Sequence, residues 1–241
     1  MTVHKIWALS DWHLPHDSMN TYGEVWINHD EKILENIAKS CEEGDLILIP
    51  GDFANAFNQE MVAPMLQLID KIPCRVLICP GNHDVWYPSD EKSKINLPKN
   101  VTLLDGECIK IGNAIIGGTM FWCFKDAFPW EGHCGLMNKL AKRQTQALRK
   151  IKAILNEFKQ DNSDIKILML HFPPISEKAE SNIYSDLINK NGTTHCLYGH
   201  AHGVTMPGVP ACDASIDGVR YVLVSADFRE MKPVYICDFV E

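Results

Sequence analysis

With 241 residues, 46% of them hydrophobic, the chain is long enough for one large domain with a sizeable core. A formal net charge of -8 and only five arginines (Arg75, Arg143, Arg149, Arg220, Arg229) argue against a broad surface for nucleic acid or anionic membrane and favour a small, locally held substrate. Nine scattered cysteines with no Cys-x-x-Cys pair, no secretory leader and no run of about 20 apolar residues point to a reduced, cytoplasmic chain without a membrane span.

Val3 to Leu9 reads as a first strand, followed by a polar loop, Ser10 to Asn20, that carries Asp11, His13, His16 and Asp17. Asp30 to Lys39 has Ile33, Leu34 and Ile37 at helical spacing, with Asp30 as the expected cap. Leu46 to Ile49 is the second strand, Gln59 to Lys71 a helix with Met61, Met65, Leu68 and Ile69 on one face, and Arg75 to Cys79 the third strand. Two strand-helix-strand crossovers in succession call for a mostly parallel sheet in an α/β fold.

Val101 to Leu104, Glu107 to Ile111 and Ala114 to Thr119 are then separated by Asp105-Gly106 and Gly112-Asn113, which are hairpin signals and predict an antiparallel portion. Met120 to Gly135 is an aromatic loop, expected to pack onto its own domain or to wall the substrate. Asn138 to Lys159 is the longest helix, with Leu148, Ile151, Ile154, Leu155 and Phe158 inward and Arg143, Arg149 and Lys150 on a solvated face. Ile165 to Leu170 and His195 to Tyr198 are further strands, joined by a loop and a helix within Pro173 to Asn191. Tyr221 to Ser225 and Pro233 to Asp238 read as the end of a second sheet. One domain is expected over residues 1–241, with variable substrate-side loops at about 85–98, 120–135 and 173–191.

The residues that carry chemistry share one placement: each lies just beyond an apolar run. Asp11 and His13, Asp52, Asn82 and His83, His171, and His200 and His202 all follow such runs, and they converge if the runs are neighbouring strands. Asp11, His13, Asp52, Asn82, His171, His200 and His202 offer oxygen and imidazole nitrogen but no thiolate, which suits Mn, Fe or Zn, with Mg, Ni or Co also accepted. Seven ligands are too many for one ion. With one carboxylate bridging they divide between two, at the roughly 3.5 to 4 Å spacing that clamps a phosphoryl oxygen and acidifies a shared water. The chemistry is hydrolysis by hydroxide, and His83, beside a ligand but not obviously one itself, is the candidate proton donor. His4, His16, His29, His133 and His195 lack such company and read as structural or surface residues.

In that order, Asp11-x-His13, Gly51-Asp52, Gly81-Asn82-His83-Asp84, His171 and Gly199-His200-x-His202 resemble the complete signature of the calcineurin-like metallophosphoesterase superfamily. The resemblance implies a two-sheet sandwich flanked by helices (α-β-β-α) with a dinuclear metal site at the strand ends. It assigns Asp11, His13, Asp52 and His202 to one metal and Asp52, Asn82, His171 and His200 to the other, with Asp52 bridging and His83 beside the scissile phosphate; Asp84 joins His83 and Asn55 as a candidate catalytic residue. Protein phosphatases of the superfamily carry Gly-Asp-x-x-Asp-Arg; here the stretch is Gly51-Asp52-Phe53-Ala54-Asn55-Ala56. Asn55 is expected to orient His83 through its amide oxygen, whereas Ala56 cannot bind phosphate, so that subgroup is disfavoured. The expectation is a phosphoesterase, foremost a phosphodiesterase, acting on a small or lipid-like ester. The alternatives are a phosphomonoesterase, a nuclease, or a scaffold that binds metal without catalysis.

Overall fold

The computed structural model describes residues 1–88, 95–121, 137–175, 179–203 and 213–241, with backbone only for residues 137–142. Most of the expected aromatic loop, 122–135, and parts of the expected loops 85–98 and 173–191 lie outside the described residues.

Two sheets stack face to face. The first holds β1 (Val3–Ala8), β2 (Leu46–Pro50), β3 (Arg75–Cys79), β4 (Val101–Leu103) and β11 (Val234–Val240), in the order β11-β1-β2-β3-β4. The second holds β5 (Cys108–Ile111), β6 (Ala114–Thr119), β7 (Ile165–Leu170), β8 (His195–Tyr198), β9 (Ala214–Ile216) and β10 (Val219–Leu223), in the order β5-β6-β7-β8-β10-β9. The helices are α1 (His29–Ser40), α2 (Gln59–Ile69), α3 (Met137–Gln160) and α4 (Ile183–Asn189).

The sequence explains the layering through the alternation of side chains along a strand. In β2, Leu46 and Leu48 face inward and meet Ile167, Met169 and Leu197 of the other sheet. Ile47 and Ile49 face outward onto Ile33 and Ile37 of α1 and Val62 and Leu66 of α2. Leu168 and Leu170 of β7 likewise face Ile151, Ile154 and Phe158 of α3. Strands buried on both faces read as continuous apolar runs, and the result is the expected helix-sheet-sheet-helix sandwich. Among the described residues no helix is long and apolar enough to cross a membrane.

Four expectations are corrected. Val101–Leu103 joins no hairpin; it pairs in parallel with β3, and Asp105-Gly106 crosses from one sheet to the other, while only β5 and β6 form the antiparallel pair. Val234–Val240 leaves the second sheet and lies antiparallel to β1 in the first. The N-cap of α1 is Asn28 in a left-handed conformation, which leaves Asp30 in the first turn, free to accept from His16 Nδ1 at 2.7 Å. The buried face of α2 is Val62, Met65, Leu66 and Ile69, with Met61 41% exposed, because Asn58 caps the helix and sets its phase.

Candidate metal centre

The parallel strands β1, β2 and β3 of one sheet and β7 and β8 of the other end at the same edge of the sandwich, and the chain continues beyond them as laced loops. Asp11 N donates to Gly51 O at 3.0 Å, His13 N to Asp52 O at 3.0 Å and Leu14 N to Phe53 O at 3.1 Å, so the first two loops run side by side. Gly199 N donates to His171 O at 3.0 Å, and Ser10 N to Val224 O at 2.8 Å ties the end of β1 to the end of β10 across the sheets. Four residues in these loops are left-handed: Asp11 (φ 60°), His13 (φ 48°), Asp52 (φ 53°) and His200 (φ 66°). Such strain at non-glycine residues persists only where the surroundings over-determine it.

All seven expected ligands come to one place. Oxygen and nitrogen atoms of Asp11, His13 and His202 lie within 4.8 Å of one another, and so do those of Asp52, His171 and His200. Asn82 Oδ1 is 2.9 Å from His171 Nε2, and Asp52 stands between the groups, with Oδ2 3.2 Å from His171 Nε2 and 3.7 Å from His13 Nε2. His83 is exposed at the rim; it forms a further convergent group with His13 and Asp52, and its backbone N–H donates to Asp52 Oδ1 at 2.8 Å.

The hydrogen-bond roles show that this donor set fits cations. His171 Nδ1 donates to the Pro50 carbonyl at 3.1 Å, so its Nε2 points at Asp52 Oδ2 and Asn82 Oδ1, both acceptors. His202 Nδ1 is 3.1 Å from Asp227 Oδ1, and His13 Nδ1 is 2.9 Å from Asn55 Oδ1, so their Nε2 atoms face each other at 3.1 Å. Lone pairs aimed at lone pairs need a cation between them, either a proton or a metal ion, and outward Nδ1 partners of this kind are how proteins orient ligating histidines.

The charges agree with this. Burial disfavours the charged form of His171, yet the adjacent Asp52 raises it to about 9. Burial opposes ionisation of Asp52 as well, and the His171, His13 and His83 imidazoles nonetheless hold its carboxyl far below the usual range. Burial, with the charge of His171 behind it, lowers His200 to about 3, and burial also lowers His13, so both are shifted toward the neutral form that a metal ligand needs. In His202 burial is outweighed by the hydrogen bond to Asp227, and the ring is raised.

Two expected catalytic residues sit elsewhere than the sequence implied. Asn55 bonds His13, not His83, because residues 51–55 run alongside residues 11–14 and bring its amide to the nearer ring. Asp84 is 5% exposed and its carboxylate is taken up by four N–H donors: Phe53 N at 3.2 Å, Ala54 N at 3.0 Å, Gly81 N at 2.9 Å and Trp86 Nε1 at 2.9 Å. Burial and the charge of Asp52 push it up to about 6 against those donors. Asp84 thus fastens the loop after β2 to the loop after β3 and does not face the cluster.

Sequence reasoning missed Asp227 and Trp26. Asp227 follows the apolar run Tyr221 to Val224, so the strand-end rule that found the others would have found it. Trp26 is 2% exposed and sets its ring edge-on to His13 and His202, with centroids at 5.9 and 5.5 Å. Its carbonyl accepts from His29 Nδ1 at 2.8 Å, which makes His29 a buried support.

Paired carboxylate and imidazole clusters at strand ends are suited to holding metal ions. Residues 4–204 match the family model described as calcineurin-like phosphoesterase, and the chain belongs to that family. The family is one of binuclear, metal-dependent phosphoesterases, and the His and Asp clusters at these strand ends could hold metal ions. A probable cyclic nucleotide phosphodiesterase of Coxiella burnetii is 31% identical over 80 residues; the match takes in 33% of this chain and 32%, about a third, of that relative's length. Among solved structures, the purple acid phosphatase PPD1 of yellow lupin (Lupinus luteus) seeds has a TM-score of 0.51 at 12% identity, covering 94% of this chain and 44% of that one. The calcineurin-like phosphoesterase YfkN of Bacillus subtilis has a TM-score of 0.50 at 13% identity, covering 98% and 89%. At these identities the likeness is one of fold.

Proposed function

We propose that the chain is a phosphodiesterase, built as one domain over residues 1–241 and acting in the cytoplasm on a small or lipid-like phosphate diester. The observation that carries the reading is the pair of convergent ligand groups meeting at Asp52, with exposed His83 at their edge. Asp11, His13, Asp52 and His202 would hold one divalent ion and Asp52, Asn82, His171 and His200 the other, with Mn, Fe or Zn the best match to this donor set. When bound, such a pair supplies Lewis acidity to the phosphoryl oxygens and a hydroxide nucleophile at neutral pH.

The chain's own groups do the rest. His83, solvent-exposed beside Asp52, protonates the departing alkoxide. Asn55 and Asp227 keep the His13 and His202 rings in the tautomer that offers Nε2, and Asp84 fixes the loop that positions Asn82 and His83. Trp26 shields the His13 and His202 side from water. Two considerations favour diesters: Ala56 stands where protein phosphatases of the superfamily have a phosphate-binding arginine, and the Coxiella burnetii relative is named as a probable phosphodiesterase.

The test is hydrolysis of bis-p-nitrophenyl phosphate and p-nitrophenyl phosphate by metal-stripped protein after adding back Mn, Zn, Fe(II), Ni or Mg, with Asp52→Asn as control. Metal-restored activity that prefers the diester is expected. Preference for the monoester would make the chain a phosphatase, and inactivity with every metal would turn the reading toward a scaffold.

Asp227 supports a separate measurement. Asp227→Asn is expected to weaken binding of one of the two ions by about 10- to 100-fold, because losing the carboxylate behind a ligating histidine lowers its basicity and frees its ring. Calorimetric titration should show one weakened and one unchanged site; two unchanged sites would remove Asp227 from the ligand support.

A further inference from the structure

The carboxylate of Asp11 has two different sides. Its Oδ1 faces the histidines of its own group, 3.7 Å from His202 Nε2 and 3.9 Å from His13 Nε2. Its Oδ2 accepts from Ser10 Oγ at 2.5 Å. The backbone N–H of His200 reaches both oxygens at 3.1 Å. Ser10 and Asp11 are both 0% exposed, so bulk water does not stand in for the hydroxyl.

Ser10 is itself held in place. Its N–H donates to Val224 O at 2.8 Å and its carbonyl accepts from Ala226 N at 3.0 Å, which fixes the residue between the end of β1 and the end of β10. Gly199 closes the space beyond, where a Cβ would lie 2.4 Å from Ser10 Oγ and 2.4 Å from Asp11 Oδ2. A buried hydroxyl needs a hydrogen-bond partner, and the Asp11 carboxylate is the one this enclosure presents.

We propose that Ser10 is a positioning residue that makes Asp11 a one-oxygen ligand, and that it thereby sets which ions the centre accepts. With Oδ2 committed to the hydroxyl, Oδ1 is left for the ion held together with His13 and His202. A carboxylate that gives one oxygen keeps the coordination number low and suits ions bound in part by imidazole nitrogen. Calcium takes roughly six to eight oxygens and often both of a carboxylate, so this arrangement disfavours it. Loss of the hydroxyl frees Oδ2 and opens the site toward calcium. The proposal rests on the metal assignment above and narrows what that site binds.

Titration of metal-stripped protein with Mn(II), followed by calcium competition, tests it, with released Mn(II) read by EPR. In Ser10→Ala one of the two ions should bind about 10- to 100-fold more weakly, as when other supports behind a ligand are lost, and the second should be unchanged. Calcium, able to use both oxygens, should not share that loss, so the Mn-to-Ca affinity ratio at the weakened site should fall by about tenfold or more. The substitution deletes a single oxygen atom, and a thermal melt verifies the fold. A ratio that stays at its wild-type value would overturn the proposal, whether or not both affinities fall, since a merely loosened site weakens every ion alike. Wild-type protein that binds fewer than two Mn(II) ions would overturn the metal assignment along with it.

Discussion

Gly81→Ala is expected to strip the protein of metal while leaving the fold standing. A Cβ at this position would lie 2.1 Å from Asp52 Oδ1 and 2.3 Å from the backbone N of Asp52. Rotating the Asp52 side chain relieves the first contact but not the second, so one of the two loops must move. Neither moves freely, since Gly81 N is bonded to Asp84 Oδ2 at 2.9 Å and the same carboxylate holds Phe53 and Ala54. Overpacking of this kind costs about 1–3 kcal/mol, a fall in Tm of roughly 2–4 °C per kcal/mol for a chain this size. The core between the sheets and beneath α1 and α2 is untouched, so the variant should fold. Asp52, the carboxylate common to both proposed ions, is the group displaced, and elemental analysis should find less than one ion per chain with activity at background. Retention of both ions at wild-type affinity would mean that Asp52 does not bridge them.

His83→Ala should produce the opposite separation, with both ions kept and catalysis lost selectively. The ring is exposed at the rim of the cluster, and its backbone N–H, which survives the substitution, is what touches Asp52. Esters of simple alcohols leave as strongly basic alkoxides and need a proton in the transition state, so their turnover should fall by about 10²- to 10⁴-fold. Nitrophenolate departs without help, and p-nitrophenyl esters should lose far less. The check is a series of leaving groups of graded acidity at saturating metal. A steeper dependence in the variant marks a general acid, whereas a uniform loss across the series would leave His83 a role in binding only.

Much of the centre was legible because one rule, chemistry just beyond an apolar run, applies to every proposed ligand. The run itself shows that a strand ends there, and burial on both faces makes the run continuous. What a run does not carry is the identity of the strand's neighbour. Val101–Leu103 and Val234–Val240 were recognisable as strands, but their sheets depend on packing partners far away in sequence, and dipeptides such as Asp105-Gly106 serve a crossover as readily as a hairpin. The same limit governs the polar partners. Asn55 has two histidines within reach of its loop, and only the lacing of residues 11–14 against residues 51–54 decides for His13. Asp84 shares a motif with His83, yet its burial commits it to backbone amides.

The antiparallel pairing of β1 with β11, from Val3 opposite Val240 to Ala8 opposite Val234, has a consequence for how the protein is made. β1 is made before β11 and feeds Asp11 and His13 into the centre, yet one of its edges stays open until β11 has been synthesised. Closing contacts of such long range is slow, and an unpaired edge invites association with other chains meanwhile. β2 and β3 can dock on β1 early, but the first sheet is sealed only once β11 pairs with β1. Deleting β11 would thus damage solubility while leaving every proposed residue of the centre in the chain.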